Sequence, residues 1–508
     1  MDGRTAWLTA TAVLVALFAA AHPNLDPDMW WHLAVGNAIL HRSSVHFADP
    51  FSFTHPTLWV NAQWLSELFF AALHRWMGVM GLEFLAVLLK AAAFLVVFST
   101  MDAPPLTRVW VTLLFALGAL PTMGGVRPQL FSYLLIAALA CWLNRCRQQM
   151  DGTRDAGRGT GASQPSPSPD LSPRFPFPFW LPCLFALWAN LHSFYPIAFV
   201  LLLLAVFADA WNERKGWQPV LGRNWRRQML MALALCLVAV NLTPFGWHSV
   251  KQVIVNIAQS SQLPIEEWKP ATAMRHPVVY LWAGLLLLWV AMGAWSPKRM
   301  DALEFLWGAF LTVNALSGVR MIALWCLLMA LFVARHIAAL LPASSNPLPR
   351  WLPNMVAAMS VGLAIAILAQ KFSPNTFLRE ERKTYPHDAI AWMNRHAVSG
   401  NCLTRYDWGG YVAWKTEGRV KVFVDGRADF YPLKVMRDFM AAYSGSARWR
   451  KVLEGYGVTL VLAPPDAPIV NLLQLCPDEW RTIYRDRRAV LLVRRRAKQP
   501  VKIIGGGQ

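Results

Sequence analysis

A series of long apolar runs limits what this chain can fold into more than any other feature. The runs are Ala6–Ala21, Val79–Ser99, Val109–Leu120, Leu130–Leu143, Phe177–Leu191, Ile197–Trp211, Met229–Val240, Val278–Trp295, Leu303–Leu316, Met321–Leu341 and Leu352–Leu368. They amount to about eleven spans, several of them short for a full crossing. In hydrocarbon each backbone N–H and C=O must be satisfied within the segment, so runs of this kind become helices. Of the 508 residues 56% are hydrophobic and 15% charged, which excludes an ordinary soluble domain. The 26 tryptophans suit the two membrane interfaces. The first run could be a signal peptide cleaved after Ala19-Ala20-Ala21, but its weak basic start and the membrane runs that follow favour a retained helix.

The formal net charge of +19 would suggest nucleic acid in a soluble chain. Here much of the excess sits between apolar runs, at Arg108, at Arg145 to Arg174, at Arg214 to Arg227, at Lys298 and Arg299, and at Arg335 and Arg350, with a further basic tail at Arg494-Arg495-Arg496-Ala497-Lys498. Alternating the sides from an inner N-terminus makes those loops internal and leaves the other short loops poor in basic residues, as the positive-inside bias demands. No nucleic-acid partner is expected. The seven cysteines form no CxxC pair, so a zinc framework is not expected; Cys402 and Cys476 could pair if the tail lies outside.

Residues 1–371 thus read as a membrane domain, with an outer loop at 23–78 and a disordered inner loop at 148–174 around Ser166-Pro167-Ser168-Pro169. In the outer loop Trp30–His41 and Trp64–Trp76 have helical spacing, and Asp49–Thr54 reads as a turn with an extended piece. Residues 372–508 turn soluble in character. Ala389–His396 looks helical, and Val420–Val424, Val458–Ala463 and Ala489–Val493 look like strands. An odd number of spans places this small α/β domain outside. The reading is a mainly α, multi-pass protein of the cytoplasmic (inner) membrane, N-terminus in the cytoplasm and C-terminal domain beyond it.

Polar residues at membrane edges are costly unless they have partners or work. They collect on the predicted outer side: Asp26, Asp28, Trp30, Trp31 and His32 behind the first run, Arg127 after the third, Asn190 and His192 after the fifth, Glu266, Glu267 and Trp268 after the seventh, and Arg320 after the ninth. This predicts an outward polar cavity, with carboxylates for a hydroxyl or a metal and arginines for a phosphate. Each residue also has a plainer reading. Asp26 can cap the next helix, Arg127 and Arg320 can be snorkelling anchors, His192 can be a core histidine, and Glu266 and Glu267 can be solvated loop charges.

Several of these passages carry a resemblance. Asp26-Pro27-Asp28-Met29-Trp30-Trp31-His32-Leu33-Ala34-Val35-Gly36, Asp49-Pro50-Phe51-Ser52-Phe53-Thr54, Arg127-Pro128-Gln129 and Ala189-Asn190-Leu191-His192 look like membrane-edge motifs of one group. In the tail, Tyr406-Asp407-Trp408-Gly409-Gly410-Tyr411 and Val424-Asp425-Gly426-Arg427-Ala428-Asp429-Phe430-Tyr431 look like it too. The chain resembles the GT-C class of integral-membrane glycosyltransferases, in the style of bacterial protein O-mannosyltransferases and the lipid A aminoarabinose transferase.

The resemblance implies a GT-C-like arrangement and transfer of a sugar from a polyprenyl-phosphate donor to a hydroxyl of an envelope glycan, lipid or protein, at the outer face among membrane lipids. It maps the acceptor-activating acid onto Asp26 or Asp28 and leaves the choice open. Some members of the class need a divalent metal such as Mg or Mn; here a metal would fall to Asp26 and Asp28. Arg127 and Arg320 would meet the departing phosphate, and Trp30, Trp31 and Trp268 would wall the pocket, with His32, Asn190, His192, Glu266 and Glu267 lining it. Asp425-Gly426-Arg427 and Asp429 could be a second site or a turn closing a strand with Arg427 paired to a carboxylate. A transporter or flippase for a lipid-linked or anionic solute, or a non-catalytic membrane scaffold, is the alternative function; the sequence shows no convincing internal repeat of the kind transporters carry.

Overall fold

Each apolar run named above is helical over most of its length in the computed structural model, which describes residues 1–159, 177–259, 266–341, 349 and 351–495, the side chains of 151–159, 259 and 266 excepted. In chain order the helices are α1 (Gly3–Ala20), α2 (Pro27–Arg42), α3 (Trp64–Thr100), α4 (Pro105–Ala119), α5 (Gln129–Gly159), α6 (Trp180–Leu191), α7 (Tyr195–Lys215), α8 (Arg223–Ala239) and α9 (Trp247–Gln259). There follow α10 (Pro277–Trp295), α11 (Ala302–Ser317), α12 (Ile322–Leu340) and α13 (Trp351–Lys371). Among the described residues, 8 helices are long and apolar enough to cross a membrane: α1, α3, α4 with its extension to Thr122, α5, α7, α10, α12 with its preceding turn, and α13. The runs in α6 and α11 make shorter apolar helices, and α8 opens on Arg223, Arg226 and Arg227. The chain is a multi-pass membrane protein. The loop expected from residue 148 starts later, because the α5 backbone stays helical through Gly159; residues 160–174 of it, and Arg496 to Lys498 of the basic tail, lie outside the described residues.

The chain forms two compact units, one of residues 1–21, 85–124 and 128–371, the other of residues 22–84, 125–127 and 372 onward. In the sequence the break falls after residue 371; in the structure the outer loop joins the C-terminal residues as well. α3 contributes to both units, and Gly78, at φ 63°, breaks its helical path where a side chain would be strained.

In the first unit α12 is apolar on all sides and is buried along nearly its whole length, which is how a helix without a polar face is stabilised. α4, α10 and α11 pack on it, and α1 packs on α13 and α4. Arg147 and Arg335, two of the basic residues read as topology markers, have internal partners. Asp301 caps α11 and receives Arg147 (2.5 Å) and Arg335 (3.2 Å), while Glu304 receives Arg335 (2.5 Å), His336 Nε2 (2.8 Å) and Trp289 Nε1 (3.2 Å). The network ties α5, α10, α11 and α12, and a buried charge persists only when it is paired in this way.

The second unit carries the sheet. Its helices after α13 are α14 (Pro374–Thr384), α15 (His387–Arg395), α16 (Gly409–Lys415), α17 (Leu433–Tyr443), α18 (Trp449–Gly455) and α19 (Pro468–Gln474). Its strands are β1 (Gly400–Thr404), β2 (Val420–Val422), β3 (Leu460–Ala463), β4 (Trp480–Arg485) and β5 (Val490–Arg494), in the order β2-β1-β3-β5-β4. β2, β1 and β3 run parallel, while β5 and β4 pair antiparallel. β1 and β4 are additions to the strands expected from sequence. Cys402 and Cys476 are free thiols, not a disulfide, and burial pushes the Cys402 thiol up to about 12.

The outer loop completes this sheet. Val422 N–H donates to Phe51 O (2.9 Å) and Phe53 N–H to Val422 O (3.3 Å), so 51–53 lies parallel along the edge that β2 would otherwise leave open. An open edge invites foreign pairing, and the outer loop removes it.

Candidate active site

Asp26 is the N-cap of α2 and Pro27 its first residue, a pairing that suits the unsatisfied N–H groups there and proline's fixed φ. Asp26 Oδ1 accepts from Asp28 N–H (3.0 Å); its Oδ2 accepts from Gly125 N–H (3.0 Å) and Arg127 Nε (2.8 Å). Three donors hold a side chain that is 4% exposed. Asp28 sits in the first turn of the helix. Its Oδ1 accepts from Trp31 Nε1 (3.0 Å) and its Oδ2 faces Arg127 Nη2 (3.2 Å), yet 22% of its side chain reaches solvent. Asp26 thus starts the helix, and Asp28 is the more exposed of the two carboxylates.

Arg127, read from sequence as a phosphate ligand, bridges both aspartates. A divalent ion between Asp26 and Asp28 would have to displace that guanidinium and the N–H donors on Asp26. Among the described residues no group of three or more His, Cys, Asp or Glu side chains could hold a metal. Asp26 and Asp28, held in this way, do not fit a metal ion.

Trp31 stays beside Asp28 and meets Trp59 edge to face (5.8 Å). Trp30 and His32 are core residues rather than open pocket walls. Met29 to Gly36 of α2 are all buried, so its opposite faces are both enclosed: Trp30 meets Tyr385 (5.5 Å) and Tyr411 (5.0 Å) edge to face, and His32 Nδ1 lies 3.2 Å from Glu67 Oε1.

The C-terminal residues furnish the rest of this corner. Tyr385 donates to Leu25 O (2.6 Å); burial, then the charges of Asp26 and Asp28, push its phenol far up, so it remains a donor. Burial, followed by Asp28, Asp425, Asp407 and Asp429, does the same to Tyr406. Arg427 is buried and grips Asp425 through Nε (2.9 Å) and Nη2 (2.7 Å), and Asp49 through Nη1 (2.7 Å). Burial alone would lower its pKa; Asp425 and Asp49 hold it well above the usual value, so the charge is permanent. Of the two readings of Asp425-Gly426-Arg427, this is the turn with a paired arginine. Sequence reading missed Asp49, Tyr385 and Gly125 as partners. Their local patterns, an Asp-Pro turn and single residues beside proline or glycine, carry no sign of neighbours far away in the chain.

The remaining expected site residues lie in the first unit. Arg320 holds its guanidinium over Trp268 (4.9 Å) and Phe194 (5.7 Å). His192 packs on Phe194 (4.5 Å), with Nδ1 2.9 Å from Ser132 Oγ, and Asn190 donates to Leu242 O (2.9 Å). Arg320, Trp268 and His192 thus gather around Phe194, with Asn190 on the same helix end; Glu267 is half-buried next to Trp268, and the side chain of Glu266 lies outside the described residues. The sequence leads one to expect all of these with Asp26 and Asp28 in one cavity; Arg320, Trp268, His192 and Asn190 belong to the first unit, and Asp26 and Asp28 to the second.

No protein-family model matches the sequence, and no curated protein matches it. Solved structures do. An oligosaccharyltransferase from Archaeoglobus fulgidus, in its apo form, aligns over 90% of this chain and 69% of its own, with a TM-score of 0.52 and 11% identity. The mycobacterial arabinofuranosyltransferase AftD aligns over 97% of this chain and 42% of its own, with a TM-score of 0.52 and 16% identity. The fold is GT-C-like. At these identities the likeness is one of architecture, and the chain spans less than half of the second protein.

Proposed function

We propose that this protein transfers a sugar from a polyprenyl-phosphate donor to an acceptor hydroxyl at the outer face of the cytoplasmic membrane, its N-terminus inside and its C-terminal residues outside. The observation that carries the reading is the Asp26–Arg127–Asp28 corner at the start of α2, in a chain of GT-C-like fold. Both structural neighbours named above are glycosyltransferases by name, which supports the reaction class.

Asp28 is the base. It takes the proton of the acceptor hydroxyl as that oxygen bonds to the anomeric carbon. The bond from that carbon to the phosphate oxygen breaks, polyprenyl phosphate leaves with the electron pair, and the single displacement inverts the anomeric centre. Arg127 orients Asp28 while Asp26 anchors Arg127. An envelope glycan, lipid or protein would supply the hydroxyl.

The test is sugar transfer in membranes carrying Asp28→Asn or Asp26→Asn. Asp28→Asn should lower the rate about a hundredfold or more, the usual contribution of a positioned general base. Asp26→Asn should be milder, since it loosens Arg127 without removing the base. Full activity of both variants at normal expression would remove the carboxylate mechanism.

A further inference from the structure

Behind β2 the chain passes Asp425 and turns through Gly426 into Arg427, and the backbone of Gly426 lies against Asp28 and Trp31. A Cβ placed on Gly426 would come within 2.7 Å of Trp31 Nε1 and 2.8 Å of Trp31 Cδ1, and closer still to Asp28 Oδ1. Gly426 is not among the residues with left-handed φ. Its lack of a side chain is therefore demanded by its neighbours, not by its own backbone.

Neither side has room to retreat. The 425–427 backbone is held by the Arg427 grip on Asp425 and Asp49. It is backed by Gly409, whose own Cβ would meet Asp425 Cα at 2.8 Å. Opposite, Asp28 is held by Trp31 and Arg127, and Gly410 lets α16 approach α2, with its Cβ position 3.0 Å from Trp31 N.

We propose that Gly426 is a positioning residue for Asp28: the backbone anchored by Arg427 fixes Asp28 Oδ1 on the Trp31 indole and closes one approach to the carboxylate. An acceptor hydroxyl must then reach Asp28 from the side away from residues 425–427. The proposal rests on the reading of Asp28 as the base, and its test separates the two.

The full-length protein is treated with a water-soluble carbodiimide and glycine methyl ester, and labelling is read residue by residue by mass spectrometry. In the wild type Asp28 should react slowly relative to Asp407, which is 42% exposed. In Gly426→Ala the added methyl group should break the Trp31–Asp28 bond and turn the carboxylate outward. Labelling of Asp28 should rise severalfold, with Asp407 unchanged and the Cys402 thiol still protected from maleimide. Sugar transfer in membranes should fall while binding of undecaprenyl phosphate stays within its wild-type range, a separation that general unfolding would not produce. Unchanged Asp28 labelling in a folded Gly426→Ala protein overturns the proposal. If that variant exposes Cys402 and so fails to fold, Trp31→Phe removes the same hydrogen bond with less steric demand; unchanged Asp28 labelling there overturns it equally. A rise in labelling together with full activity of Asp28→Asn would leave the positioning in place and remove the base.

Discussion

The buried cluster of Arg427, Asp425 and Asp49 permits a demanding test of what holds the second unit together. Arg427→Met keeps most of the side-chain volume and removes the cation, leaving two carboxylates buried at 1% exposure with no counter-charge. Breaking a buried pair from one side costs about 3–5 kcal/mol. Asp49→Asn removes a charge from the opposite sign of an unequal cluster; Arg427 and Asp425 remain as a neutral pair. Its cost is that of a weakened charged hydrogen bond, about 1.5–3 kcal/mol. The ordering is thus a consequence of charge count: one cation serves two anions, so losing the cation is worse than losing one anion.

The reporter is Cys402, fully buried in β1 of the same unit. Its maleimide labelling under native conditions, read by mass spectrometry to separate it from Cys476, follows the population of the opened unit. Arg427→Met should speed labelling roughly a hundredfold to several thousandfold, and Asp49→Asn roughly tenfold to a hundredfold, at about 1.4 kcal/mol per factor of ten. Labelling of Cys402 that is unchanged in Arg427→Met, or faster in Asp49→Asn than in Arg427→Met, would refute the charge argument.

Three further outcomes are expected. Trp30→Ala should destabilise the second unit by about 3–5 kcal/mol, the usual cost of emptying a large aromatic site, and should also speed Cys402 labelling. Glu381 accepts from Tyr411 (2.6 Å) and Lys415 (2.8 Å); burial alone would raise its pKa, but Lys415 and Tyr411 hold it below the ordinary 4.5. Its contribution is therefore complete above pH 4.5 and lost as pH falls through the lower folded value, so the thermal stability gap between wild type and Glu381→Gln should be open at pH 7 and close in acid. Arg127→Ala should leave undecaprenyl phosphate binding intact and lower transfer by no more than Asp28→Asn does, since it acts through the same carboxylate. A loss of that binding in Arg127→Ala would return Arg127 to the phosphate.

The helices were legible because their signal is local. Runs such as Met321–Leu341 state their structure within one window, and the spacing of Trp64, Leu65, Leu68, Phe69, Leu73 and Trp76 does the same for the outer loop. β2, β3 and β5 announced themselves as apolar runs. β1 and β4 did not: Gly400-Asn401-Cys402-Leu403-Thr404 opens on two poor strand formers, and Trp480-Arg481-Thr482-Ile483-Tyr484-Arg485 is a mostly exposed sheet edge whose charges mask its alternation. The site was legible in its residue types but not in its partners. His32 meets Glu67, Asp26 meets Arg127 and Asp49 meets Arg427 across long stretches of chain, and nothing in the local pattern of either member encodes the other.

Those distant pairings explain why the outer loop and the C-terminal residues fold as one body. Residues 22–84 bring Trp30, Trp31, Phe51 and Trp59 but no sheet; the C-terminal residues bring a sheet with an open edge at β2 and buried aromatic faces at Tyr385, Tyr411 and Phe430. Each supplies what the other lacks, and the joint product has Asp28 at its seam, with α2 on one side and the 425–427 backbone on the other. A carboxylate set this way is aligned by long-range packing rather than by its own loop. Substitutions far along the chain, at Asp49, Gly410 or Arg427, should therefore act on Asp28 although none of them is near it in sequence. The C-terminal residues are in this sense part of the acid corner itself, and the motif Val424-Asp425-Gly426-Arg427 is a structural counterpart of Asp26-Pro27-Asp28.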